Sequence, residues 1–389
     1  MKKKQQNSEG APSYIEWRVD RGAWLDGLRL CAFRGSFRMP ALYCTRHRAI
    51  DGELVLSGTD LVTYVQLRVG THWHEEGDVL INTRLLVALL SLLDENVLTV
   101  RLYERSLTVE LVWSNGSARI PGMDAQMFPV GPDEQAKTWT RLVDDLSMKE
   151  THEVQRQIAV AADAQHVRDM YTMVWFGEKT FATDGIRLSS SQTGIHRNVP
   201  IHVSSLAVIV RLFDPGVAVD VDTSDDGYQV RVTGPYGTVW TAAGGSQAPA
   251  VEKLLEAEPA VRVSVSPREL ARALKMARSY GDAVWLDIAD GQMRVTPDVN
   301  YGGAQDQATF TLDIGDCVGE VDKVSFPCLV TTVLPQVQTL SSVETIVLGF
   351  GLLGNPNIVL FMAGKVRHVA AGVGIDNKTL YRNSVGAQE

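Results

Sequence analysis

Cysteine is scarce in this sequence, and no two of its four cysteines form a Cys-x-x-Cys pair. In a chain of 389 residues this spacing is typical neither of a disulfide framework nor of a structural zinc site. We therefore predict that Cys31, Cys44, Cys317 and Cys328 are reduced thiols with a structural role. Long apolar runs are missing too, since no stretch reaches the ~18 residues that a membrane-spanning helix requires. We expect a soluble, cytoplasmic protein without membrane contact.

The motifs of common enzyme classes are also absent. The sequence has no Gly-x-Ser-x-Gly elbow, no P-loop and no cluster of paired carboxylates, so we predict no catalytic residue, metal ligand or cofactor. Gly349–Gly354 matches Gly-x-Gly-x-x-Gly, but Asn355-Pro356-Asn357 follows where a nucleotide-binding helix would begin, which indicates a glycine-rich hairpin. Asp222–Gly227 starts like a calcium loop, yet Thr233 stands where a bidentate carboxylate is needed, which favours an Asp-Gly turn.

Positive charge is in the minority, with 37 Lys and Arg against 46 Asp and Glu and a net charge of −9. This balance argues against a nucleic-acid partner unless cations are concentrated locally, because phosphate contacts require positive charge. Such concentrations occur near the predicted first helix of each repeat described below. In the first and second repeats the cations concerned are Arg21, Arg29, Arg34, Arg38, His166 and Arg168.

The clearest amphipathic helix begins at the capping box Ser266-Pro267-Arg268-Glu269. At 100° per residue its apolar residues share one face, and its cations Arg268, Arg272 and Lys275 share the opposite face. The apolar set is Leu270, Ala273, Leu274 and Ala277. A basic stripe of this kind is either a solvated surface or a contact for phosphates, and the cations near the other first helices favour the second interpretation.

Two Thr-Asp pairs, at Thr59-Asp60 and Thr183-Asp184, each follow an apolar run and indicate a repeated unit. Apolar residues at helical spacing recur after each pair, in 84–94 and 204–214, and a third copy begins at Val330, where Pro335 is expected to end the helix early. We predict three similar domains, 14–137, 138–258 and 259–375, between a disordered lead, 1–13, and a disordered tail, 376–389. The first helix of the second domain is predicted at 163–171.

These features together resemble the bacterial sliding clamp family, the beta subunits of DNA polymerase III. The resemblance rests on Gly58-Thr59-Asp60-Leu61, on 182–188 (Ala-Thr-Asp-Gly-Ile-Arg-Leu), on Phe128-Pro129 and on Pro267-Arg268-Glu269-Leu270. It covers about 21–375. It implies an α+β fold of three clamp domains, and a head-to-tail homodimer that forms a six-domain ring with helices inside and sheets outside. The implied function is a non-enzymatic processivity factor that encircles duplex DNA without reading its sequence.

The resemblance also implies two kinds of site. Matching positions for DNA contact are Arg84, Gln165 and Arg168, with Arg34 and Arg38 flanking a basic loop, in addition to the stripe found from periodicity. The second site is a pocket for short peptides of the replicative polymerase and the clamp loader, formed by Thr183, Gly185, Ile186, Arg187, Leu188, Pro249, Leu254, Val369 and Ala371. Ile186 replaces the usual histidine, and 368–375 departs from the usual C-terminal sequence, so the pocket is expected to be shallower or tuned to other peptides.

Two alternative functions remain open at this point. A metal-dependent nucleic-acid enzyme would use Asp60 and Asp184 together with His72 or His74, although turn residues that accept backbone N–H groups are structural. A peptide-binding adaptor would use the pocket and never contact DNA.

Overall fold

The computed structural model describes residues 14–33, 39–73, 75–193, 199–227, 229–242, 247–298, 308–319 and 324–372. The predicted lead and tail, 1–13 and 376–389, lie outside these ranges, as do the predicted DNA contacts Arg34 and Arg38.

Strands greatly outnumber helices, and the expected α+β fold is confirmed. The helices are α1 (Arg21–Leu30), α2 (Thr83–Leu90), α3 (Met148–Gln157), α4 (Val203–Leu212), α5 (Glu252–Glu256), α6 (Pro267–Ala277) and α7 (Val330–Thr339). The first strands are β1 (Ile15–Asp20), β2 (Cys44–Ile50), β3 (Glu53–Thr59), β4 (Thr63–Trp73), β5 (Gly77–Asn82), β6 (Val97–Tyr103), β7 (Thr108–Trp113), β8 (Gly116–Met123) and β9 (Trp139–Ser147). The next are β10 (Met173–Phe176), β11 (Lys179–Thr183), β12 (Arg187–Gln192), β13 (Val199–His202), β14 (Ala218–Ser224), β15 (Gln229–Gly234) and β16 (Gly237–Ala242). The last are β17 (Val261–Val265), β18 (Ala283–Ala289), β19 (Gln292–Pro297), β20 (Phe310–Asp313), β21 (Cys317–Val318), β22 (Val324–Leu329), β23 (Ile346–Leu352), β24 (Asn355–Ala363) and β25 (Val366–Ala371).

The first compact unit contains residues 1–148 and 204–243. Its twelve-stranded antiparallel sheet has the order β1-β6-β7-β8-β5-β2-β3-β4-β16-β15-β14-β9, and β1 also pairs with β4. Helix α1 begins where the Asp20 carboxylate accepts a hydrogen bond from the Ala23 N–H at 2.7 Å, and it buries Trp24 and Leu28 against the sheet and α2. The pairing of β4 with β16 makes one continuous sheet from strands of the first and second predicted domains.

The second compact unit contains residues 149–203 and 244–389. A nine-stranded sheet, β13-β10-β11-β12-β25-β24-β23-β17-β21, accompanies a four-stranded sheet, β20-β19-β18-β22. Here β12 pairs with β25, so strands of the second and third predicted domains again share a sheet. The three-domain division stays a prediction, because the contacts within the chain group its residues into two units.

The repeated apolar helices are confirmed in α2, α4 and α7, where the matched residues Leu86, Leu206 and Val330 are each 0% exposed. Helix α7 does not end early, since it continues through Pro335 to Thr339, and the prediction at this position is wrong. The missing N–H of Pro335 removes one backbone hydrogen bond, and the apolar contacts of Val333 and Val337 outweigh that loss.

The predicted helix at 163–171 is also wrong. The helix at this place in the repeat is α3, and 163–168 is a loop followed by one short 3-10 turn, Asp169–Tyr171. The Asp163 carboxylate accepts a hydrogen bond from the Gln165 N–H at 3.0 Å, which closes a turn instead of capping a helix. Helix α3 escaped prediction because Thr151 and the polar residues around it interrupt the apolar spacing, although Met148, Thr151 and Val154 are all buried.

Several local predictions are confirmed. Gly349–Gly354 leads from β23 into β24 as a hairpin, and the Asp-Gly turn at 226–227 joins β14 to β15. The four cysteines are free thiols, of which Cys317 alone is exposed. Within the described ranges, no helix has the length and apolarity needed to cross a membrane.

Candidate nucleic-acid interface and peptide groove

Helix α6 carries the basic face that its periodicity predicted. The Ser266 hydroxyl accepts a hydrogen bond from the Glu269 N–H at 3.4 Å, and Pro267 occupies the first turn, where its missing N–H has no cost. The predicted apolar residues Leu270, Ala273, Leu274 and Ala277 are buried. Their burial directs the other side of the helix to solvent.

The exposed side of α6 forms a shallow cleft with α7. The cleft has a volume of about 650 Å³, and Arg268, Arg272 and Lys275 line it together with Gln338 and Ser341. The Arg268 Nε donates to the Ser341 carbonyl oxygen at 2.9 Å, which fixes the guanidinium at the end of α7. Within the part of the chain that is described, none of the three cations forms an ion pair, so their charge is available to an anion.

The other predicted DNA contacts lie elsewhere in the chain. Arg84 is exposed on α2 in the first unit. Gln165 and Arg168 are exposed in the second unit, on the loop where a helix was predicted, and the Arg168 N–H donates to His166 Nδ1 at 3.0 Å. Among the predicted DNA contacts that the structure describes, Arg268, Arg272 and Lys275 line one cleft, and Gln165 and Arg168 share one loop.

Two cations near α1 have local partners. Arg21 donates from Nε to the Glu95 carbonyl oxygen at 2.8 Å and from a terminal nitrogen to the Leu90 carbonyl oxygen at 3.2 Å, which closes the end of α2. Arg29 pairs with Asp26 at 3.2 Å on the helix surface. These two side chains are structural rather than free for phosphate.

The Thr-Asp-Gly element is a tight turn between β11 and β12. The Thr183 hydroxyl donates to the Arg187 carbonyl oxygen at 2.6 Å, and one Asp184 carboxylate oxygen accepts hydrogen bonds from the Ile186 and Arg187 N–H groups at 2.9 and 2.7 Å. The other oxygen pairs with the Arg187 guanidinium at 2.7 Å. Gly185 has φ +89°, which favours glycine, and the Tyr171 ring lies 3.4 Å from the position that a Cβ would take.

This turn lies beside a buried hydrophobic cluster in the second unit, and the predicted peptide pocket, called the groove below, would lie over that cluster. Leu188 pairs with Val369 across β12 and β25, and the Ala371 N–H donates to the Ile186 carbonyl oxygen at 3.0 Å. The buried residues of the cluster, which would form the floor of the groove, are Met173, Trp175, Phe181, Leu188, Val251, Leu255, Ala257, Leu352, Leu360 and Val369. Ile186 is 59% exposed at the rim and Leu254 is half-buried. The predicted Pro249 lies two residues before Val251 and is half-buried, as is Ala371.

The sequence did not predict several residues of the groove. Met170, Ile358 and Met362 are partly buried against its floor, and the Trp175 indole N–H donates to the Met170 carbonyl oxygen at 3.2 Å. From the local sequence, the apolar residues of Met173–Phe176 and Lys179–Thr183 predicted buried strands at the floor of the groove and nothing about its other residues. Ile358 reaches the groove through the pairing of β24 with β25 and of β25 with β12, whereas Met170 lies only five residues before Trp175.

A buried polar network joins the groove floor to α7. His368 contacts the Ser189 hydroxyl at 2.7 Å through Nδ1 and the Thr339 hydroxyl at 2.9 Å through Nε2. The Gln336 amide donates to the carbonyl oxygens of Leu188 and Val369 at 3.2 and 3.3 Å. Burial lowers the pKa of His368 to about 3, so the imidazole is neutral near pH 7.

Asp60 and Asp184 behave as turn residues, as predicted. The Asp60 carboxylate accepts hydrogen bonds from the Val62 and Thr63 N–H groups at 3.0 and 2.7 Å. His74 lies outside the described residues. Among those that are described, no group of three or more His, Cys, Asp or Glu side chains has the arrangement of a metal site.

Comparison with known proteins places the fold. No protein-family model matches the chain, and no curated protein matches it in sequence. Among solved structures, a beta chain of DNA polymerase III from Streptococcus pneumoniae is 17% identical, with a TM-score of 0.79, over 93% of this chain and 100% of that one. A putative DNA polymerase III beta subunit from Eubacterium rectale is 16% identical with a TM-score of 0.78 over the same shares. The sliding clamp of Pseudomonas aeruginosa bound to griselimycin also has 16% identity, a TM-score of 0.78 and the same coverage.

Proposed function

We propose that this chain, which has the fold of the DNA polymerase III beta subunits, is a DNA sliding clamp. Two copies would form a ring around duplex DNA and tether a replicative polymerase, and a clamp loader would place the ring. The chain would act without catalysis. The observation that carries the proposal is the basic face of α6, where Arg268, Arg272 and Lys275 are exposed without ion pairs among the described residues.

The distribution of charge supports a DNA-facing surface made of helices. Apart from Arg21 and Arg29, which have local partners, the cations on the described helices α1 to α7 are Arg84, Lys149, Arg156, Arg211, Lys253, Arg268, Arg272 and Lys275. The acids on the same helices are Asp26, Glu150, Glu153, Glu252, Glu256 and Glu269. Cations outnumber acids on these helices, whereas acids outnumber cations in the whole chain, 46 to 37. Such a surface holds phosphates without reading bases, which suits movement along DNA.

The apolar groove supports the tethering part of the proposal. The hydrophobic cluster beneath it is buried, while Ile186 is exposed beside the cluster and Leu254 is half-buried against it. An extended peptide with spaced apolar and aromatic side chains would cover this surface and exclude water from it. The proposed residues are the nine predicted from the resemblance, together with Met170, Tyr171 and Ile358.

A peptide-binding adaptor that never contacts DNA is the second candidate, and the same groove favours it. The two candidates differ in topology, because a ring stays on DNA by encircling it. Dilute protein would first be mixed with nicked circular DNA. The mixture would then be concentrated, so that subunits associate around the duplex. The DNA would then be washed in about 1 M NaCl, where the screening length is about 3 Å.

We expect protein to remain on the nicked circles and to leave within minutes after a restriction enzyme cuts them. Equal retention on circles and on linear DNA would contradict encirclement. A monomer at micromolar concentration, measured by light scattering, would contradict the ring. Peptide binding without any retention on circles would favour the adaptor.

A further inference from the structure

The first unit contains a second turn with the hydrogen bonds of the Thr183-Asp184 turn. The Thr59 hydroxyl donates to the Thr63 carbonyl oxygen at 2.8 Å, and the Leu61 N–H donates to the Thr59 hydroxyl at 2.9 Å. The strand pairing beside the turn also matches, because the Ala242 N–H donates to the Val62 carbonyl oxygen at 3.1 Å, as Ala371 does to Ile186 in the second unit. The same hydrogen-bonded turn, with the same strand contact beside it, therefore occurs in both units.

A cleft of about 180 Å³ with mixed polar and apolar walls lies beside this turn. Its walls include Leu61, Val62, Pro129, Val130 and Trp240. Leu61 is 59% exposed and Val130 is 64% exposed, so large apolar side chains stand in water on both sides of the cleft. Two exposed apolar side chains at one concave site are typical of a binding surface, whereas ordinary exposed apolar residues are scattered singly.

The backbone of Leu61 is strained. Its φ is +76°, in the left-handed region, where the equivalent residue of the second unit is Gly185 with φ +89°. A leucine in this conformation is disfavoured, and its exposed side chain gains little from folding. Glycine would adopt this conformation with less strain, so the leucine brings no local benefit to stability.

Buried polar atoms at the cleft have no partners within the described chain. Trp240 is 5% exposed, its indole N–H has no acceptor there, and the side-chain oxygen of the cleft residue Gln229 has no donor. A buried polar group without a hydrogen bond is costly. The described part of the chain therefore leaves polar groups unsatisfied at the wall of this cleft.

The charge beside the cleft indicates the sign of the occupant. Asp184 pairs with Arg187, but the residue equivalent to Arg187 is Thr63, and Asp60 has no cation partner among the described residues. Neither Lys nor Arg is among the described residues that line the cleft. A peptide with a Lys or Arg beside its apolar residue complements this charge, and nucleic acid does not.

We infer that the cleft of the first unit binds a short extended segment of a partner protein, with an apolar side chain between Leu61 and Val130 and a Lys or Arg near Asp60. This site is independent of the groove in the second unit. The inference does not require that the chain encircle DNA.

The test uses the full chain with 5-fluorotryptophan in place of tryptophan, and the Trp240 fluorine signal is assigned as the one lost in Trp240→Phe. The probe is the blocked hexapeptide Ser-Lys-Leu-Val-Phe-Ser, and its control has Glu in place of Lys. An Ile186→Asp background removes binding at the other groove. We expect saturable movement of the Trp240 signal with a Kd of order 100 μM, and about tenfold weaker binding of the Glu peptide.

Leu61→Gly is the decisive variant, because it removes the anchoring side chain and relieves the backbone. We expect about tenfold weaker binding with an unchanged or higher melting temperature. Leu353→Gly is the matched control, since Leu353 is 60% exposed with φ +54° in a hairpin of the second unit, and it should bind as the parent does. Unmoved Trp240 at millimolar peptide, or equal affinity after Leu61→Gly, would overturn the inference. A Trp240 signal that depends on protein concentration alone would assign the cleft to a second copy of this chain and overturn it too.

Discussion

At the scale of single residues, His368 makes the second unit sensitive to acid. Its pKa is about 3 in the folded chain and near the ordinary 6.5 after unfolding, because burial disfavours the charged imidazole. Between these values the unfolded state binds more protons, so stability is complete above pH 6.5 and falls as the pH drops toward 3. Replacing His368 with Gln removes this titration.

We expect the melting temperature of His368→Gln to lie below that of the parent at about pH 7.5 and to come closer to it at about pH 5, where the parent has lost part of this stabilisation. Scanning calorimetry across this range measures the difference. Thr339→Val is the control, because it removes the same hydrogen bond without removing a titratable group, and its destabilisation should not change with pH. Parallel pH curves for the parent and His368→Gln would contradict the assignment.

Residues whose roles depend on near neighbours could be predicted from the sequence. The Ser266 cap, the two Thr-Asp turns and the Asp-Gly hairpin each depend on side chains that reach backbone atoms a few positions away. Ile358 could not be assigned to the groove in this way. Its position depends on the pairing of β24 with β25 and of β25 with β12, and the last two strands are about 180 residues apart in the chain.

At the scale of elements, α6 offers the sharpest test of DNA contact. Arg268→Glu, Arg272→Glu and Lys275→Glu together reverse its exposed face and leave Leu270 and Leu274 buried, so the fold should persist. We expect weaker binding to a bare duplex and a smaller salt dependence, since each lost phosphate contact removes roughly 0.9 from the slope of log K against log salt. Fluorescence anisotropy at several salt concentrations measures both.

The matched control reverses three exposed arginines on strands, Arg48, Arg68 and Arg294. It changes the net charge by the same amount and should alter the slope less than the α6 variant does. Equal effects of both triple variants would mean that net charge, and not the α6 face, governs binding.

The groove can be tested at its exposed rim without disturbing its floor. Ile186→Asp places a charge among apolar contacts at a 59% exposed position, so peptide binding should weaken by about tenfold or more while the melting temperature stays the same. The probe is a peptide with a glutamine followed by spaced apolar and aromatic residues, and calorimetry measures its affinity. Val318→Asp, at a 63% exposed position of the same unit, should leave affinity unchanged. Unchanged affinity in Ile186→Asp would place the peptide elsewhere.

Helices were predictable where their apolar spacing was complete. Helix α6 has an uninterrupted apolar face and a capping box, and its bounds came close to the prediction. Helix α3 buries Thr151 where an apolar residue would have revealed the pattern, and the polar 163–171 stretch was preferred in error. Burial of a hydroxyl is decided by tertiary contacts that the sequence pattern does not contain.

At the scale of the whole molecule, the repeats were visible in the sequence, but the pairing of strands across their boundaries was not. Residues 149–203 belong with 244–389, and 204–243 belong with 1–148. We therefore expect cooperative opening to follow the two units. Leu360→Ala and Leu56→Ala each truncate a buried leucine, which is 1% exposed at Leu360 and 0% at Leu56. Each change should lower the free energy of unfolding by about 2–5 kcal/mol.

Hydrogen exchange with mass spectrometry separates the outcomes. Leu360→Ala should speed exchange in 149–203, and Leu56→Ala should speed it in 204–242. If either variant speeds exchange throughout 138–258, the predicted middle domain opens as one body and the two-unit description of folding is wrong.

The strand pairing across repeats also constrains inheritance. A recombination event that replaced 138–258 with the corresponding part of a relative would have to preserve two strand pairings at once. These are the pairing of β4 with β16 and the pairing of β12 with β25. A single crossover near 148 or 243 leaves one unit with a single ancestry and mixes the other, whereas one near 203 mixes both. Exchanges between divergent ancestors should therefore survive more often near 148 or 243 than near 203.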